Sequence, residues 1–334
     1  MPDDRKPTAP RAPAFETRAV HAGASPDPTT GARNTPIFQT TAYVFDDVDH
    51  AASLFNLQSF GYIYSRITNP TVAVLEERVA SLEGGRGAVA AASGHAAQLL
   101  AFFTLMEPGA EFVASRNLYG GSITQFTHTF RKFGWTCHFV DPTDPENFRR
   151  ALTAKCRAIF LEVLANPGGI VVDLEPVAAI AREAGIPLIV DNTMATPFLC
   201  RPFEWGADIV IHSTTKFLCG HGTSMGGVVV ESGRFDWVKN ADRFPGMTQP
   251  DPAYHGLTFA GRFGKTNSMS GTSTAPSVLP IVAPRLNPSV NTLILAANPF
   301  ATSVDGMDPL CNPWSRLGKK TSLTSGLPSR SICV

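Results

Sequence analysis

From about residue 86 the chain alternates short β-rich runs with stretches of helical period. The runs "GAVAAAS" (87–93), "EFVASRN" (111–117), "TCHFVDP" (136–142), "AIFLEVL" (158–164), "IPLIVDN" (186–192), "DIVIHST" (208–214) and "GGVVVES" (226–232) predict seven strands. Residues 209–211 form an unbroken β-branched run, which suits a strand covered on both faces. Between the runs lie helix-like segments. In "LEPVAAIAREAG" (174–185) apolar residues recur at three- and four-residue spacing and a glycine closes the pattern. Strand–helix–strand repeats of this kind predict an α/β fold, a mostly parallel seven-stranded sheet with helices on both faces.

Such a sheet binds its ligands beyond the carboxyl ends of its strands. Polar residues gather there: Ser93 and Gly94, Asn117 and Tyr119, Asn166, Asp191 and Asn192, and Ser213 through Lys216. Five strand ends therefore converge on one place.

Composition narrows the classes. A length of 334 residues supports one large domain or two smaller ones, and 28 basic residues balance 28 acidic ones. That balance gives no electrostatic reason to expect nucleic acid or an anionic membrane as partner. The opening "MPDDRKPTAPRAP" has no apolar core, so it reads as a disordered or draped arm and not as a signal peptide. The most apolar stretch, 88–106, is interrupted by Ser93, Gly94, His95 and Gln98, which does not suit a membrane span. Six cysteines (Cys137, Cys156, Cys200, Cys219, Cys311, Cys333) lie far apart without a CxxC pair. They are expected to be reduced, buried thiols of a cytoplasmic protein, and no metal is expected. Beyond residue 266 the composition changes: eight prolines and only two aspartates occur among many serines and threonines, with no glutamate, no histidine and no sustained helical period.

The chemistry centres on Lys216, which follows Ser213, Thr214 and Thr215 at the end of a β-branched strand. Taken alone it reads as a lysine snorkelling to solvent. A lysine amine can also form a Schiff base with an aldehyde, the way pyridoxal phosphate (PLP) is held. A PLP site further needs a carboxylate facing the pyridine nitrogen, donors for the phosphate and a group over the ring. Asp191 at the end of "PLIVD" could supply the first. Ser213, Thr215 and the backbone N–H groups of Gly94 and His95 at a helix start could supply the second. Tyr119 could supply the third. Each has a plainer alternative: Asp191 as a turn or cap residue, Ser93 as an N-cap, Tyr119 as a core aromatic.

The motifs "YIYSRITNPT", "ASGHAAQ", "NLYGGS", "LANP", "VDNTMATP" and "DIVIHSTTKFLCGHG" resemble those of the Cys/Met-metabolism family of PLP-dependent enzymes, of fold type I (aspartate-aminotransferase-like). The resemblance covers roughly residues 15–265. It implies Lys216 as the Schiff-base lysine and proton carrier, Asp191 at the pyridine nitrogen and Asn166 at the ring oxygen. It implies Tyr119 stacked on the ring and assisting leaving-group departure, with Ser213, Thr215, Gly94 and His95 at the phosphate. Tyr64 and Arg66 would reach the phosphate of a neighbouring subunit, so the resemblance implies a homo-oligomer, a dimer of dimers with shared sites. Arginine's planar fork suits a phosphate.

The opening region and "SGHAAQ" are most similar to the O-acetylhomoserine sulfhydrylase members. These carry out γ-replacement on O-acetyl-L-homoserine with sulfide or methanethiol, giving homocysteine or methionine plus acetate. Gly121 stands where methionine γ-lyases typically have a cysteine. Activities of the cystathionine γ-synthase and γ-lyase type are the alternatives. The implied organisation is an N-terminal arm (1–60), a PLP-binding domain (61–265) and an atypical Pro/Ser-rich tail (266–334). The tail replaces the family's carboxyl-terminal domain, which supplies the arginine for the substrate carboxylate, and it is expected to reflect a truncated or frame-shifted gene or a diverged isoform. None of Arg285, Arg316 and Arg330 lies in a recognisable motif. A PLP-binding protein without activity is therefore a second reading. A third, a nucleotide-binding α/β protein, has little support, because "GHGTSMGG" is neither GxxxxGK[ST] nor a strand–GxGxxG–helix.

Overall fold

A computed structural model describes residues 12–263. Seven strands form one sheet: β1 (Gly87–Ala91), β2 (Glu111–Ser115), β3 (Thr136–Val140), β4 (Cys156–Glu162), β5 (Leu188–Asp191), β6 (Ile209–His212) and β7 (Gly227–Glu231). Their order is β1-β7-β6-β5-β4-β2-β3. Only β7 runs antiparallel to its neighbours β1 and β6; the remaining pairs are parallel. Because β1 and β6 both oppose β7, the first six strands all point the same way and share one carboxyl edge. Each expected strand is found where its run lies.

The first seven α-helices among the described residues are α1 (Phe15–His21), α2 (Val48–Phe55), α3 (Pro70–Glu83), α4 (Gly94–Leu105), α5 (Gly120–Thr124), α6 (Glu146–Ala151) and α7 (Leu174–Ala184). Local chemistry sets their ends. The Asn69 side chain accepts from Thr71 N–H at the start of α3, Pro70 occupies its first turn, and Gly84 ends it in the left-handed region (φ 76°). Asp173 caps α7 by accepting from Glu175 N–H, and Gly185 closes it at φ 67°. Helix α4 packs on β7, β6 and β1, α3 on β1 and β7, and α7 on β5.

Successive strand residues point to opposite faces, so consecutive burial means that both faces are covered. Val228, Val229 and Val230 are essentially inaccessible, as are Ile209, Val210 and Ile211. A ring cluster of Phe102, Phe112, Phe126, Phe130 and Phe160 fills the space between helix and sheet, with Phe102 and Phe112 centroids 4.4 Å apart. Burying each ring contributes roughly 1.5–3 kcal/mol.

Within the expected N-terminal arm the structure forms α1 and α2, and α1 packs on α3. One expectation needs correction. Of the four described cysteines, all free, only Cys156 is buried; Cys137, Cys200 and Cys219 are half-buried. Cys311, Cys333, the domain boundary at 265/266, the tail and its three arginines lie outside the described residues. Among the described residues no helix is long and apolar enough to cross a membrane.

Candidate active site

Residues expected from the sequence meet at the carboxyl edge of the sheet. Ser93 ends its strand run and caps α4, its hydroxyl accepting from Ala96 N–H at 3.1 Å. Gly94, the first residue of α4, lies so close to β6's exit that a Cβ built on it would come within 2.8 Å of Ser213 Cβ. A similar constraint holds across β7, where a Cβ on Gly227 would sit 2.0 Å from the Ser93 carbonyl oxygen. Glycine at both places lets the start of a twelve-residue helix lie directly against Ser213. The result is a cradle of backbone N–H groups beside a hydroxyl, the donor chemistry that suits an anion.

The loop after β6 is braced from both sides. Ser213 N–H donates to Thr193 Oγ1 at 2.8 Å. Thr215 Oγ1 donates to the Gly226 carbonyl at 3.2 Å and accepts from Gly226 N–H at 3.1 Å. Lys216 follows, its N–H donating to the Ser213 carbonyl, and it is exposed. The loop thus carries Lys216 beyond the end of β6.

Asp191 ends β5, half-buried. Its Oδ1 accepts from Thr193 N–H at 3.0 Å and its Oδ2 from Gln98 Nε2 at 3.3 Å. Gln98 also donates to Ser122 Oγ at 3.0 Å, which ties α4 to α5. Tyr119, 51% exposed, stands over the same edge beside His95, with ring centroids 5.8 Å apart and planes at 32°. A Cβ at Gly121 would approach Tyr119 Cε1 to 2.5 Å and His95 Cε1 to 2.6 Å, so the glycine makes room for this ring pair. His95 Nε2 is buried without a partner. Burial lowers the His95 pKa, opposed in part by the Gly121 backbone and the Asp191 carboxylate.

Asn166 is exposed on the loop after β4. Beneath it lies Glu162, whose Oε1 accepts from Tyr119 N–H at 2.7 Å and whose Oε2 accepts from Asn166 N–H at 3.1 Å. Burial, with the neighbouring Asp191 charge, pushes Glu162 up to about 7.

Tyr64 and Arg66 stand apart from this cluster. The Arg66 guanidinium lies 5.5 Å from the centroid of the exposed Tyr64 ring, and Tyr64 pairs its backbone with Ala42. Among the described residues none of the hydrogen bonds or ring contacts joins them to the strand ends.

Sequence reasoning missed Gln98, Glu162 and Thr193. Gln98 lies within an apolar helix, where a lone buried amide was itself a signal. Glu162 interrupts the apolar run "AIFLEVL". Thr193 gave no signal beyond its place in "VDNT".

The cradle, the half-buried Asp191 carboxylate, the unpartnered His95 Nε2 and the exposed lysine suit a phosphorylated aldehyde with a basic ring. Among the described residues there is no His, Cys, Asp or Glu cluster that could hold a metal ion.

Comparison with known proteins agrees with that chemistry. The family described as Cys/Met metabolism PLP-dependent enzyme matches residues 16–275. The chain is 52% identical over 260 residues to the O-acetyl-L-homoserine sulfhydrylase of Leptospira meyeri, covering 78% of this chain and 58% of that protein. It is 47% identical over 251 residues to the homocysteine synthase of Schizosaccharomyces pombe, covering 75% and 58%. Among solved structures, it is similar to an O-acetylhomoserine (thiol)-lyase of Campylobacter jejuni subsp. jejuni, which contains N'-pyridoxyl-lysine-5'-monophosphate. That match has a TM-score of 0.72 and 37% identity, covering 80% of this chain and 67% of the other. The chain thus spans less than two thirds of the length of the curated relatives named here.

Proposed function

We propose that this chain, which belongs to the Cys/Met metabolism PLP-dependent enzyme family, holds pyridoxal 5'-phosphate at the carboxyl edge of its sheet and serves γ-replacement on O-acetyl-L-homoserine. Sulfide or methanethiol would be the nucleophile, with homocysteine or methionine and acetate as products. The observation that carries this reading is the convergence of the α4 start, Ser213, Asp191, Tyr119 and Lys216 on one edge.

When bound, the cofactor supplies an electron-accepting ring that stabilises negative charge on the substrate's α carbon. The residues divide the remaining work. Lys216 would capture the aldehyde and, once freed by the substrate amine, carry a proton from Cα. Asp191, oriented by Gln98 and Thr193, would keep the ring nitrogen protonated. Asn166 would donate to the ring oxygen, while Tyr119 would lie on the ring face and assist departure of acetate. The N–H groups of Gly94 and His95, with Ser213, would hold the phosphate. Thr215 would join them by exchanging its bond to Gly226. Tyr64 and Arg66 would serve the phosphate of a neighbouring subunit in a homotetramer, and their exposure away from the edge supports that role. The free thiols support a cytoplasmic location.

A second reading is a PLP-binding protein without turnover. Acetate release from O-acetyl-L-homoserine, measured with and without sulfide and PLP, separates the two. Release that depends on both is the expected result. A cofactor-loaded protein that releases no acetate would establish the second reading, and turnover of cystathionine instead would establish a cystathionine-type activity.

A further inference from the structure

Glu162 closes β4 in register with Asp191 on β5, and its side chain is almost wholly buried, with the residue 5% exposed. A buried carboxylate is costly unless both oxygens are satisfied. Here each oxygen has one backbone N–H, and the two donors belong to different loops: Tyr119 after β2 and Asn166 after β4. Tyr119 also precedes α5 without any side-chain cap of its own. Both residues expose their side chains to the open edge, so little beyond main-chain bonds fixes where those side chains begin.

We propose that Glu162 is a positioning residue: its carboxylate is a spacer that fixes the distance between the Tyr119 and Asn166 backbones, and through them the orientation of the cofactor ring. This rests on the cofactor reading above. A carboxylate suits the task because its two oxygens are both acceptors; an amide offers one acceptor and one donor. In Glu162→Gln one of the two N–H groups therefore faces an NH2 group, and one loop is released while side-chain volume is kept. In Glu162→Asp both acceptors remain but the side chain is one methylene shorter, so a single carboxylate no longer reaches both N–H groups. Proximity to Asp191 adds a second consequence. Charge at Asp191 disfavours charge at Glu162, and a protonated ring nitrogen beside Asp191 offsets that repulsion, so cofactor binding strengthens the acceptor that spaces the loops.

The test is PLP titration of the full chain and both variants, followed by visible absorbance and by the induced circular dichroism of the bound ring, with thermal unfolding of the apo forms alongside. The expected result is at least a tenfold loss of PLP affinity and a reduced dichroic band in both variants, with apo unfolding temperatures within a few degrees of the parent. Unchanged affinity and dichroism in either folded variant would overturn the proposal. So would an apo stability loss that leaves the bound ring's spectrum intact, because that outcome marks a purely structural carboxylate. A parent chain that takes up no PLP would overturn the cofactor reading itself, and the proposal with it, a result distinguishable from the first two.

Discussion

Replacing Glu83 with alanine is expected to destabilise the fold by about 3–5 kcal/mol, because it removes one partner of a buried, hydrogen-bonded polar group. Glu83 ends α3 and is 1% exposed. Its Oε1 lies 2.6 Å from His212 Nε2 and accepts from Asn192 Nδ2 at 2.8 Å. His212 ends β6 immediately before Ser213, Asn192 follows Asp191, and both are fully buried. One carboxylate thus clamps a helix end to the two strand ends that carry the proposed nitrogen partner and the lysine loop. Alanine would leave the buried imidazole without that acceptor, at a cost of about 1–3 kcal/mol, and would leave the Asn192 amide with only its bond to the Cys200 carbonyl at 2.8 Å. Equilibrium urea unfolding measures the effect. Glu83→Gln should retain much of the stability, since both neighbours meet Oε1 and an amide oxygen in its place can still accept from both. A loss below about 1 kcal/mol in Glu83→Ala would show that the three groups do not act as a unit.

Gly227→Ala is expected to destabilise the fold for a different reason. The added Cβ would sit 2.0 Å from the Ser93 oxygen, 2.4 Å from its carbonyl carbon and 2.9 Å from Gly94 N. These are backbone atoms, so no side-chain rotation relieves the clash. Either β7 withdraws from β1, with which Gly227 pairs through Ala91, or the turn into α4 shifts. Overpacking costs typically about 1–3 kcal/mol, and the shifted turn also spoils the cradle. The variant should therefore lose stability and anion affinity together, read by urea unfolding and by titration with PLP. Gly120→Ala is the control, because a Cβ there meets nothing within 4 Å. Equal behaviour of the two variants would contradict the close packing at Ser93.

The strands were legible because their signal is local. "GVVVE" and "IVIH" are short β-branched runs, and burial on both faces removes the polar alternation that would blur them. Helix α7 was legible because its period and closing glycine lie within one window. The sheet edge was legible too, since strand direction fixes which strand ends lie together. What was not legible depends on pairings distant in sequence. Glu83 in "SLEGG" reads as a solvated helix end, yet its partner His212 is 129 residues away. Glu162 reads as a charged interruption of a strand, and only the three-dimensional path of the Tyr119 loop gives it a role. Lys216 was singled out by its motif, but the bracing of its loop by Thr193 and Gly226 is displayed by no local pattern.

The central claim is that Lys216 captures a pyridoxal cofactor held at the strand ends. The most direct test is the absorption spectrum of the full chain purified with added PLP, before and after dialysis, beside Lys216→Ala. The account predicts a visible band of the lysine-bound pyridoxal that survives dialysis in the parent, shifts on borohydride reduction and is missing in the variant. A band that persists unchanged in Lys216→Ala, or a parent chain that never acquires one, would contradict it.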